Sequence, residues 1–96
     1  MNIESVRKNM KIHSGETFET RTGSEFVLTY DGGNTFDVAV VSGKTHCCTI
    51  NNLERVVDAV NDGKITLTSP IASITTRAGC TASTSYIVGL LTDDRI

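Results

Sequence analysis

The tetrad Asp31-Gly32-Gly33-Asn34 lies between two stretches of alternating polarity, and no other feature of the chain constrains its fold as strongly. Adjacent glycines reach the positive φ angles that a tight hairpin demands. Before the tetrad, Glu25 to Tyr30 (EFVLTY) has the composition of a strand. After it, Thr35 to Ser42 (TFDVAVVS) puts Phe36, Val38 and Val40 on one face of a returning strand. Gly43-Lys44 turns the chain again, and Thr45 to Ile50 predicts a further strand. Upstream, the Thr-rich stretch Glu16 to Thr22 alternates Phe18, Thr20 and Thr22 against Thr17, Glu19 and Arg21, and Gly23-Ser24 closes it. Residues 16–50 therefore read as an antiparallel meander of three to four strands.

Helical periodicity flanks the meander. Ile3, Val6 and Met10 recur at i, i+3 and i+7, which predicts a short amphipathic helix ended by Ser14-Gly15. After the meander, Leu53, Val56, Val57 and Val60 form an unbroken apolar stripe. Asn51 is the expected cap of this helix, with Glu54 three residues on as in a capping box, and Asn61-Asp62-Gly63 stops it. Over residues 51–62 this is a helix that covers one face of the meander. Lys64 to Thr68 reads as a short strand or linker. Ser69-Pro70 suits the start of a helix through Arg77, although Thr and Ile also permit a hairpin over 64–77. Thr81 or Ser83 is the expected cap of a last helix through Leu91, with Tyr86, Ile87, Leu90 and Leu91 on its apolar side. The whole is an α+β protein of one domain, residues 1–96, with a C-terminal helical pair over 70–91.

Ninety-six residues leave no room for two independent cores. With no Trp, three Phe and two Tyr, the core must come mostly from Val, Ile, Leu and Ala. The formal net charge of −2 is not that of a protein that coats nucleic acid. Its distribution is uneven: residues 22–63 carry two basic against six acidic groups, and each flank is near neutral. No run is apolar enough to cross a membrane, and residues 1–11 lack the apolar core of a signal peptide. Three cysteines, two of them adjacent, make no disulfide framework, and a reducing cytoplasmic compartment is the simplest expectation.

Residues 71–90, IASITTRAGCTASTSYIVGL, carry a pattern of their own. Ile71 and Ile74 fit buried positions of a first helix, Ala78 the last buried position before a turn, and Gly79 the turn. Cys80 fits the small apolar residue after it, and Val88 a buried position in a second helix. The stretch resembles the helix-turn-helix unit of bacterial DNA-binding regulators. It departs from that pattern at Ser85, where the family has a buried aliphatic residue, and at Thr75, where it has Ala. The resemblance implies that the start of the second helix lies in the major groove, so that Arg77, Thr81, Ser83, Thr84 and Ser85 contact DNA. Arg77 is the only basic residue between Lys64 and Arg95, so such binding would be weak for a monomer and would call for a homodimer.

The remaining constellations carry less. His46-Cys47-Cys48 with Cys80 offers soft metal ligands, but no CxxC spacing is present, and adjacent strand residues point to opposite faces. The same divergence separates Cys47 from His46 as nucleophile and base. Asp31 and Asp37 read as hairpin surface residues. Arg21, Thr20 and Thr22 could form a β-ribbon reader, but Glu16, Glu19 and Glu25 surround them and would repel phosphate. The expectation is a non-enzymatic module without cofactor or metal, DNA-associated through the C-terminal pair. The alternative is a small inhibitor or accessory module of phage or mobile-element type that binds a protein partner through an acidic sheet face.

Overall fold

In the computed structural model, which describes residues 1–96, helix α1 (Ile3–Ile12) leads into strands β1 (Thr17–Glu19), β2 (Glu25–Thr29), β3 (Thr35–Val40) and β4 (Thr45–Thr49). Helices α2 (Ile50–Asn61), α3 (Ile71–Ala78) and α4 (Thr84–Leu91) follow. The strands form one antiparallel sheet in the order β1-β2-β3-β4. This is the α+β meander that the turns predict, with all four strands present. β1 is shorter than the alternation over 16–22.

One face of the sheet builds the core. Phe18, Phe26, Leu28, Phe36, Val38 and Cys48 point inward and join Val6 and Met10 of α1, Leu53, Val56 and Val57 of α2, Ile74 of α3, and Ile87, Val88 and Leu90 of α4 in one apolar cluster. The predicted stripe of α2 is therefore on its inner side, with Val60 at the margin. Arg7 anchors α1 to the hairpin between β2 and β3: its Nε donates to the Tyr30 hydroxyl (3.0 Å), and its guanidinium reaches the carbonyls of Gly32 and Gly33.

Two caps differ from expectation. α2 begins at Ile50, and its cap is Thr49, whose Oγ1 accepts from Asn52 N (3.2 Å). Asn51 lies inside the helix, so the Asn51–Glu54 box does not form. The reason is tertiary. Ile50 is buried and its N–H donates to the Asn34 carbonyl, so the sheet holds the chain extended up to Thr49 and the helix starts with no loop between. Thr49→Ala should cost about 1 kcal/mol of stability, whereas Asn51→Ala should be near neutral; urea denaturation of the two variants checks this. At α3, Pro70 occupies the cap position, and Ser69 Oγ instead accepts from Thr66 N (3.0 Å). Residues 64–70 contain no strand, and 71–78 is helical, which settles the helix-or-hairpin alternative.

Arg95 closes the C-terminus onto the first strand. It donates to Asp93 and Glu16, gives Nη2 to the Thr17 carbonyl (2.8 Å), and lies 3.9 Å above the Phe18 ring. Its hydrogen bond to Asp93 holds that carboxyl below its ordinary range; for Glu16 the larger cause is His13, then Arg95. Both carboxylates thus add stability above the ordinary carboxylate range and lose it as pH falls through their folded values. Arg95→Gln should lower Tm at neutral pH and flatten its decline toward about pH 3. Parallel Tm–pH curves for the two proteins would contradict this role.

Candidate functional site

Two surfaces compete as the working face: the junction of α3 and α4, and the side of the sheet opposite the core. The junction is built on Gly79, which ends α3 in the left-handed conformation (φ 71°), as a turn glycine does. Asn52 of α2, almost fully buried, pins the two residues after this glycine. Its Nδ2 donates to Thr81 Oγ1 (3.1 Å), its Oδ1 accepts from Thr81 N (3.3 Å), and its carbonyl accepts from Cys80 Sγ (3.5 Å). Arg55 donates to the Gly79 carbonyl (2.6 Å). The turn is therefore fastened to α2 from two positions that no sequence pattern marks.

The predicted contact residues are scattered by this arrangement. Arg77 and Ser85 are exposed, and Arg77 reaches back toward the Lys64 carbonyl (3.4 Å). Thr81 is exposed but tied to Asn52. Ser83 is half-buried with φ 67°, the only non-glycine residue of the chain with positive φ. Thr84 is 6% exposed, and its hydroxyl accepts from Thr75 Oγ1 (2.8 Å), so it is withdrawn from any DNA contact. The physical cause is α4 itself. Ile87, Val88, Gly89, Leu90 and Leu91 are all buried, and only Ser85 and Tyr86 of this helix reach solvent. The run of five apolar residues was the available signal, because a helix apolar all round is a buried one. Ser83 and Ser85 instead line a cleft of about 500 Å³ together with Thr20, Thr22 and Ser24 of the first turn of the sheet.

Arg21 does not make a β-ribbon reader. Its guanidinium donates to the carbonyls of Leu67 and Ser69, tying the turn after β1 to the segment before α3.

The other face of the sheet carries no helix. Its rows run Thr17-Val27-Ala39-Thr45, then Thr29-Asp37-Cys47, then Thr35-Thr49, with Glu19 directly opposite Glu25 at one end. None of Glu19, Glu25 and Asp37 takes part in an ion pair. A shallow depression of about 200 Å³ lies beside Glu25, lined by Val27, Ala39 and Val41, and Val41 is 83% exposed. This face thus joins a small apolar floor to an uncompensated acidic end.

Protein-family models, curated proteins and solved structures yield no match to this chain. Of its thiols, Cys48 and Cys80 are buried, and burial pushes both above their ordinary pKa, which disfavours the nucleophilic thiolate. His46 points to the same side as Cys48, but its ring stacks on Tyr86 (5.5 Å). No three His, Cys, Asp or Glu side chains converge as metal ligands would.

Proposed function

We propose that this chain is a non-catalytic binding module that meets a protein partner through the open face of its sheet. The partner surface that fits is basic around a small apolar contact. The observation that carries this reading is the pair Glu19 and Glu25, directly opposite on β1 and β2 with no cation beside them. Like charges in that position destabilise the free sheet, and a Lys or Arg from outside relieves the repulsion. The adjoining floor of Val27, Ala39 and Val41 supplies apolar area for the same partner.

Selection from a random peptide library at low salt tests the reading. Enriched peptides should combine Lys or Arg with an aliphatic residue, and the double variant Glu19→Gln/Glu25→Gln should lose them while keeping or raising Tm. No enrichment, or binding indifferent to the double variant, would sink it. The DNA-reading alternative retains Arg77, Thr81, Ser83 and Ser85 as contacts, with Thr84 removed. One exposed arginine among these gives a shallow salt dependence and weak binding. A mobility shift with random duplex at low salt that is lost in Arg77→Ala would favour that alternative.

A further inference from the structure

The two edges of the sheet are finished differently. Residues 17 and 19 of β1 turn their backbone groups away from β2, because the hydrogen-bonded pairs with β2 include Thr20–Ser24 and Glu16–Leu28. Those outward carbonyls are covered. Arg95 donates to the Thr17 carbonyl, and Gly89 of α4 packs against the Glu19 carbonyl. A three-residue strand sealed by a helix and an arginine is a protected edge.

β4 has none of these protections. Lys44 and Ile50 are bonded to Val40 and Asn34 of the β3 side, which places His46 and Cys48 in the same inward-bonding register. Thr45, Cys47 and Thr49 therefore direct their N–H groups to the outside, and no backbone carbonyl of the chain receives them. The strand holds no Asp, Glu, Lys or Arg and no proline. Uncovered edges without charged residues or proline are templates for another strand.

We infer that β4 pairs with β4 of a second copy of this chain, antiparallel, about a two-fold axis through Cys47. The edge is self-complementary in that register. Cys47 faces the second copy's Cys47, and each exchanges its N–H for the other's carbonyl. Thr45 faces the second copy's Thr49, so the Thr49 N–H finds the outward carbonyl of Thr45. No like charges meet along the seam, since Thr45 faces Thr49, His46 faces Cys48 and Cys47 faces Cys47 of the second copy. That neutrality favours a copy over the basic partner proposed for the acidic end of the open face, which lies at the opposite edge. A two-fold axis normal to the sheet keeps both open faces on one side, so eight strands form one sheet and the Glu19–Glu25 pairs end up at its two far ends. The inference does not depend on what the open face binds.

Sedimentation equilibrium from micromolar to millimolar concentration, with the intact chain under reducing conditions, reads the pairing directly. The expected result is a mass approaching twice that of the chain. Cys47→Lys sets two cations face to face at the axis while placing Lys opposite Asp37 within each copy, so it should sediment as a folded monomer. Should that variant fail to fold, Cys47→Pro removes the outward N–H without touching the bonds to β3 and should give the same monomer. In wild type, diamide should oxidise the two facing Cys47 thiols to an intermolecular disulfide, itself being reduced to the hydrazine. Cys47→Ser should abolish that product, because Cys48 and Cys80 are buried. A wild-type monomer at every concentration overturns the inference, and so does a dimer that survives both Cys47→Lys and Cys47→Pro.

Discussion

Val57→Asp is expected to abolish the cooperative unfolding transition or to lower Tm so far that little folded protein remains at room temperature. Val57 is 1% exposed, within the cluster formed by the sheet and the helices. An unpaired carboxylate there costs several kcal/mol, and the lost isopropyl burial adds about 1.5–3 kcal/mol. The whole stability of a domain is only about 5–15 kcal/mol. Val57 belongs to a cluster made of Ile, Leu, Val, Phe, Met, Ala, Cys and Tyr side chains, which holds no cation to neutralise the new charge. Circular dichroism melting decides it: a Tm equal to that of wild type would mean that α2 presents another side to the sheet.

Gly89→Ala is the second large effect, and its sign runs against helix propensity. In an isolated helix, Ala is better than Gly by about 1 kcal/mol. Here a Cβ at residue 89 would overlap the Glu19 carbonyl oxygen and stand 3.2 Å from Glu19 C and Thr20 Cα. These are backbone atoms of an edge strand and its turn, and no side chain can rotate away to make room. α4 would have to lift off β1, which opens the core at Ile87 and Leu90. Overpacking costs about 1–3 kcal/mol and at times more. A clash this close with backbone atoms lies at the upper end of that range, so about 2 kcal/mol of loss remains once the helix-propensity gain of about 1 kcal/mol is subtracted. The same displacement uncovers the outer carbonyls of β1. Faster hydrogen exchange at β1 and β2 should accompany the lower Tm. A Gly89→Ala variant as stable as wild type would show that the close contact is not part of the native packing.

These two positions differ in how far they can be read ahead. Val57 belongs to a stripe at i, i+3, i+4 and i+7, and a stripe can be counted along the chain. Gly89 reads only as an isolated glycine in an apolar helix, a sign of close packing without its partner. The same limit applies to the candidate site. Glu19, Glu25 and Asp37 alternate outward in the sequence, so an acidic sheet face was legible. That Glu19 and Glu25 stand opposite one another depends on the register of the first hairpin. Thr84 matched a position at the exposed start of a second helix, yet its hydroxyl is held by Thr75 inside the junction.

Turn chemistry and periodicity act over a few residues, so the order of elements, the antiparallel meander and the inner face of α2 follow from the amino-acid sequence by itself. Glycines at 32 and 33 and alternation on either side leave the chain little choice there. What no local rule contains is which backbone meets which. Thr49 caps α2 because the sheet holds Ile50 in place. Asn52 and Arg55 fasten the turn after α3 because α2 passes beside it. α4 turns inward because its apolar residues surround it on all sides and find both the sheet and the other helices. β1 is sealed and β4 left open because Arg95 and Gly89, seventy and more residues downstream, come to rest on one edge only. Each of these outcomes is a packing contact between segments far apart in the chain, and its energy exists only once the tertiary structure has brought them together.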